Sequence, residues 1–238
     1  MLISDTKLLK NSDGNVITDH PTLWHCHDSR SLRPLWTLAE MGIDYDVVEM
    51  QFPPRVTQEN YKQLNVLGTV PYFVDGEVHM TESTGICHYL VEKYQHNSLR
   101  LTPEHPEYGD YINWLYMSDA TLLFPQTIVL RYSKLEPPQR RSEQVAKDYK
   151  QWFLARLKKL DQHILNREFL CGNRFTIADI AVGYALYLGY TQGYANEYSQ
   201  QTQNYLTRLT QRPGFKFVAS IGAALNPFLN HKHLTTSK

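Results

Sequence analysis

The chain has 238 residues, which at about 150 residues per domain makes one large domain or two small ones. Its 24 basic and 24 acidic residues cancel, which argues against a nucleic-acid binder, and 42% hydrophobic with 20% charged residues is a globular balance. No apolar run nears the ~20 residues of a membrane span, the first twenty residues lack a signal peptide's apolar core, and three scattered cysteines (Cys26, Cys87, Cys171) fit a reducing cytoplasm without disulfides.

Residues 1–20 carry the turn-prone Asn11, Ser12, Asp13 and Gly14 and read as an extension with at most a small hairpin. Thr22–His25 reads as a strand. Leu32, Leu35, Trp36 and Ala39 then recur at i, i+3, i+4 and i+7, predicting a helix over Arg30–Met41 that Gly42 stops. Tyr45–Met50 reads as a second strand. The prolines of Phe52–Arg55 predict irregular chain, followed by a short helix over Thr57–Leu64. Asp75-Gly76 between two β-rich runs, Val70–Val74 and Glu77–Met80, predicts a hairpin. Ser83–Tyr94 returns to helical period.

Leu101-Thr102-Pro103-Glu104-His105-Pro106 is the best linker, and everything after it reads as helix. Glu107–Phe124 is ended or kinked at Pro125, and Pro138–Leu165 is long. Thr176–Gly189 is apolar nearly all round, so it belongs at the centre of a bundle. Asn204–Gln211 and Phe215–Leu225 follow, separated by Pro213-Gly214. Thr176 and Asp179 have capping-box spacing.

Three places carry candidate chemistry. The first is His25-Cys26-His27-Asp28-Ser29-Arg30-Ser31, between a strand and a helix. A helix N-terminus offers free N–H groups and partial positive charge to an anion, a thiolate included, and Ser29 stands ready to donate a hydroxyl hydrogen bond to it. The second is Thr81-Glu82-Ser83-Thr84, another helix start, whose N–H groups suit a carboxylate while Glu82 suits an ammonium. The third is Val70-Pro71, a candidate cis peptide whose backbone could pair with an extended peptide. Together they describe a site for a small peptide with a thiol in its middle and an amino acid at one end. His25 and His27 share a strand face, but no further metal ligands follow at recognised spacing, so no metal is assigned.

With these pieces the chain resembles the cytosolic glutathione transferases, as a bacterial serine-type-like member, from about Thr22 to about Leu225. The matching pieces are the strand–HDSRSLR–helix, NVLGTVPYFVDG, MTESTGICHYL and FTIADIAVGYAL. The resemblance implies an α+β thioredoxin-like N-terminal domain (21–97) after the extension (1–20), a linker (98–105) and an all-α helical-bundle C-terminal domain (106–238). It also implies a cytoplasmic homodimer that adds glutathione, its co-substrate, to a small hydrophobic electrophile. Neither nucleic acid nor membrane is expected as a partner.

Carried over by residue, Ser29 matches the hydroxyl of serine-type members. His25 falls where others keep a tyrosine, and Arg30 where some bacterial members have a cysteine. Val70 and Pro71 match the backbone clamp on the cysteinyl part, beside Thr69; Glu82 and Ser83 match the pair that holds the γ-glutamyl end. Gly68-Thr69 replace the polar residue that binds the glycyl carboxylate in some members, and Arg55 or Lys62 is offered as the cation instead. Tyr116 would reach a neighbouring subunit's site, and Leu123 and Phe124 would wall the electrophile pocket. Two rival readings stand beside this one: a glutathione-dependent thiol reductase or peroxidase using Cys26 or bound glutathione, and a non-catalytic binding protein that keeps the fold.

Overall fold

A computed structural model describes residues 9–221 apart from 11, 13, 15, 59 and 97. The first strand is longer than its apolar core predicts. β2 (Val16–His25) starts six residues before Thr22 and pairs antiparallel with β1 (Leu9–Lys10), in the register Leu9–Ile17 and Lys10–Val16. That is the small hairpin expected of the extension. β2's pairing with β4 (Tyr72–Gly76) is broken between Thr18 and Thr22. Pro21 lies in that gap and has no N–H to give the ladder.

α1 (Leu32–Met41) crosses from β2 to β3 (Asp46–Glu49), which lies parallel to β2. Gly42 ends α1 at φ +65°, a left-handed turn that favours glycine. The single short helix expected next is two turns, α2 (Pro54–Thr57) and α3 (Tyr61–Leu64). Pro54 begins α2 instead of barring it, because the first helical N–H has no partner in any case. β4 and β5 (Val78–Met80) form the predicted hairpin, with Gly76 at φ +61°. α4 (Ser83–Lys93) follows. Asp75, buried beneath it, accepts hydrogen bonds from Tyr89 and Tyr94 (both 3.0 Å) and pairs with Lys93 at 3.0 Å, tying the hairpin to α4. Under the sheet, Val16, Trp24, Cys26, Met50, Tyr61, Val70, Tyr72 and Val74 form one apolar cluster.

The helical part begins with α5 (Tyr108–Met117), which runs through a π-helical turn (Ser118–Leu123) into α6 (Phe124–Leu130). Pro125 was expected to end or kink this helix. The wider turn, closed by Phe124 N–H on the Asp119 carbonyl, lets the chain continue with the proline in α6's first turn. α7 (Glu143–Ile164), α8 (Ile177–Thr191) and α9 (Gln200–Thr210) complete this part. α8 carries the predicted capping box and is buried from Ile177 to Gly189.

The chain forms two compact units, one reaching His96 and resuming at Arg212, the other spanning Asn97–Gln211. This corrects the expectation that everything from 106 onward is one helical domain. α10 (Pro213–Val218) belongs with the sheet because Arg212 grips the Glu40 carboxylate through two bonds (2.9 and 2.7 Å) and Phe215 packs edge-on against Trp36, 4.9 Å between centroids. The expected helix to Leu225 extends beyond the described residues. No described helix is long and apolar enough to cross a membrane.

Candidate active site

The turn joining β2 to α1 is closed by Ser29 N–H on the Cys26 carbonyl, 3.1 Å, with Asp28 at φ +56°. A short polar side chain tolerates that conformation better than a bulky one. Ser31, not Arg30, is the residue before the helix, and its hydroxyl makes no capping bond. Instead it is buried 2.8 Å from His25 Nδ1 and 2.7 Å from Ser29 Oγ. Ser29 is only half-buried, and its hydroxyl donates to the Cys26 carbonyl at 2.7 Å. So Ser29 is the member of this group that solvent or a ligand can reach.

His25 and Cys26 were the alternative residues for meeting the sulfur, and both are fully buried. Burial, aided by nearby His27, lowers the His25 pKa to about 3, so the ring is neutral at physiological pH. Burial raises the Cys26 thiol to about 12, and its Sγ lies 3.5 Å from the Gln51 carbonyl. A thiol in that state is a small hydrophobe, not a nucleophile. Arg30 is exposed. His27 donates from Nδ1 to the Ile221 carbonyl at 2.9 Å, so the returning C-terminal chain braces this loop.

The Val70–Pro71 bond is cis, as its position suggested; Phe52–Pro53 is cis as well. The Thr69 carbonyl just before the Val70–Pro71 bond is fixed by two donors, Tyr61 OH (2.7 Å) and Asn65 Nδ2 (2.8 Å). Neither was foreseen. The four-residue step from Asn65 to Thr69 was the available signal. Gly68 has φ +60°, and a Cβ there would lie 2.9 Å from Arg55 Cβ and 3.5 Å from Lys62 Cγ. Both candidate cations therefore stand against the residue that leads into Thr69 and Val70, and both are exposed.

At the start of α4, Glu82 is exposed with extended backbone and Ser83 is buried. The Ser83 hydroxyl accepts from Arg33 Nη1 at 3.2 Å, and the Thr84 hydroxyl from the same nitrogen at 3.1 Å. Arg33 is fully buried. It adds a cation to a helix start that already favours anions. Sequence reasoning missed it, because an arginine one residue off an apolar stripe reads as solvated surface.

In the helical unit, Tyr116 is exposed and lines a groove of about 500 Å³ with Met117, Thr121, Ala155, Arg156 and Lys159. Phe124 is half exposed, but Leu123 is sealed inside the bundle at 1% exposure. Leu123 therefore cannot wall a pocket as expected. The π-helical turn that ends at it shifts the helix register there.

Family models match both parts of the chain: "Glutathione S-transferase, N-terminal domain" over residues 20–92 and "Glutathione S-transferase, C-terminal domain" over 113–213. The chain belongs to the cytosolic glutathione transferase family. The mixed sheet with its helices is the family's thioredoxin-like domain, and the bundle is its helical C-terminal domain. Among curated relatives of this transferase-family chain, glutathione S-transferase 3 of Schizosaccharomyces pombe is 25% identical over 212 residues, 83% of this chain and 86% of that one. Elongation factor 1-gamma-A of Xenopus laevis is 26% identical over 222 residues, 86% of this chain but 46% of that one. The fold is shared with Ure2p5 of Phanerochaete chrysosporium, crystallised with 1-(S-glutathionyl)-2,4-dinitrobenzene, at a TM-score of 0.74 and 18% identity, covering 87% of this chain and 96% of that one.

Proposed function

We propose that this protein is a serine-type glutathione transferase that ionises the glutathione thiol at the start of α1 and adds it to a small hydrophobic electrophile. The observation that carries the reading is Ser29: a reachable hydroxyl at the opening of a ten-residue helix, in the same unit as the cis Val70–Pro71 bond and the Glu82-Ser83 helix start. A free thiol ionises near pH ~8.5, and lowering that by ~2 units takes ~2.7 kcal/mol. One hydrogen bond from Ser29 to the thiolate supplies ~1.5–3 kcal/mol, and the helix terminus ~0.3–1. On binding, the thiol S–H bond breaks and its proton leaves to solvent, while the Ser29 proton turns from the Cys26 carbonyl to the sulfur and that carbonyl keeps the Ser29 N–H. The thiolate then attacks the electrophile, a new S–C bond forms, and the electrophile's leaving group or electron-accepting atom takes the displaced electron pair.

In this reading the Val70 backbone pairs with the cysteinyl part, with Thr69 beside it. Glu82 and Ser83 with Arg33 behind them hold the γ-glutamyl end, and Arg55 or Lys62 meets the glycyl carboxylate. Thiolate formation by these donors needs no metal. The family relationship supports a cytoplasmic homodimer, which sedimentation tests. The test of mechanism is the ultraviolet thiolate absorbance of bound glutathione, titrated with pH in the wild type and in Ser29→Ala. An unchanged thiol pKa removes Ser29 from the role.

A second reading, a non-catalytic glutathione-transferase-like module, draws on the likeness to the elongation-factor chain. Calorimetry separates the two, since no heat of binding at millimolar glutathione would favour the module. The reductase reading that relied on Cys26 has a buried, protonated thiol against it.

A further inference from the structure

Ser29 Oγ, Ser31 Oγ and His25 Nδ1 form a chain with steps of 2.7 and 2.8 Å. Hydroxyl protons can be assigned along it by elimination, because each hydroxyl carries one proton. Ser29 Oγ lies 2.7 Å from the Cys26 carbonyl, which can only accept, so the Ser29 proton goes there. Ser29 then cannot donate to Ser31, and their 2.7 Å contact requires Ser31 to donate to Ser29. Ser31 has spent its proton, so the 2.8 Å contact with His25 requires the proton on His25 Nδ1. Ser31 Oγ also accepts the Cys26 N–H at 3.3 Å, and its own approach to the Cys26 carbonyl is longer, 3.4 Å. Both His25 and Ser31 are fully buried, so water does not compete for these positions.

From this geometry we infer that His25 and Ser31 are positioning residues for the thiol-activating hydroxyl: His25, as the Nδ1–H tautomer, donates to Ser31, Ser31 donates to Ser29, and the Ser29 proton is thereby kept out of the chain, on the Cys26 carbonyl, from which it can turn to a thiolate. The inference rests on the reading of Ser29 given above and extends it to two residues that never touch the substrate. No proton moves along the chain. Each hydroxyl keeps its own, and only the Ser29 proton changes acceptor when a thiolate arrives. The opposite tautomer would reverse every arrow and leave the Ser29 proton pointing at Ser31. The low basicity of the buried ring keeps it neutral across physiological pH. Hydrogen bonds in such chains strengthen one another, by ~10–30% per bond.

The first test uses the unmodified protein. Nitrogen-15 shifts of the His25 ring are expected to show the proton on Nδ1, and a proton on Nε2 overturns the inference. The second test titrates bound glutathione in four variants. Ser31→Ala and His25→Leu are expected to raise the bound thiol pKa by about half a unit. His25→Asn, whose amide places an N–H near the position of Nδ1, is expected to restore it. Affinity for S-methylglutathione, which has no thiol to ionise, should stay the same in all three; a merely structural role would weaken it and leave the thiol pKa alone. Ser29→Ala is the fourth variant. If it shifts the thiol pKa while Ser31→Ala and His25→Leu do not, the positioning role fails and the reading of Ser29 stands. If none of the four shifts it, both fail together.

Discussion

Replacing Asp179 by alanine is expected to cost the helical unit about 3–5 kcal/mol. The carboxylate is fully buried at the head of α8 and accepts four hydrogen bonds. One oxygen takes the Leu170 N–H (2.9 Å) and the Tyr205 hydroxyl (2.8 Å), the other the Thr176 N–H (2.9 Å) and the Thr176 hydroxyl (3.2 Å). The Thr176 hydroxyl can rotate to another acceptor, which leaves three buried donors without a partner at ~1 kcal/mol or more each. Asparagine keeps one acceptor oxygen and should lose about half as much.

The same group makes stability depend on pH. Burial outweighs its donors and raises the carboxyl to about 6, against an ordinary value of ~3.9. Between those limits the unfolded chain has released its proton and the folded chain has not. Stability therefore falls as pH rises through that window, by about 3 kcal/mol in all. Urea unfolding followed by circular dichroism at pH 4, 5, 6 and 7 reads both effects. A loss below 1 kcal/mol in Asp179→Ala, or a variant that keeps the wild type's decline between pH 4 and 6, would refute the reasoning.

Arg33→Met keeps much of the volume but removes the cation behind Ser83 and Thr84. Glutathione affinity measured by calorimetry should weaken about tenfold, equivalent to ~1.4 kcal/mol, while the pKa of the bound thiol holds. Gly68→Ala meets both a left-handed φ of +60° and the Arg55 Cβ at 2.9 Å; a loss of about 1–2 kcal/mol in thermal unfolding is expected. Cys26 should resist thiol-specific alkylation in the folded protein and react on addition of urea, as a buried thiol raised to about 12 requires. Rapid labelling without denaturant would contradict its placement in the core.

What the sequence determined by itself was local. The capping box of Thr176 and Asp179 lies within one helical turn, the hairpin at Asp75-Gly76 within two strands, and Val70-Pro71 is a single bond, so the pattern that dictates each lies in adjacent residues. The ends of elements were less legible, because tertiary pairing extends β2 back to Val16 and a π-helical turn carries α5 past Pro125. Only the folded chain decided what joins distant segments. Arg33 reaches Ser83 across fifty residues and Arg212 reaches Glu40 across 172, and Asp179 gains Tyr205 from another helix. The same holds for Cys26, whose exclusion from chemistry comes from the burial that neighbours distant in the chain impose on it. Side-chain type and spacing specify which hydrogen bonds a segment can offer; burial and long-range packing select which of them are made and which charges survive.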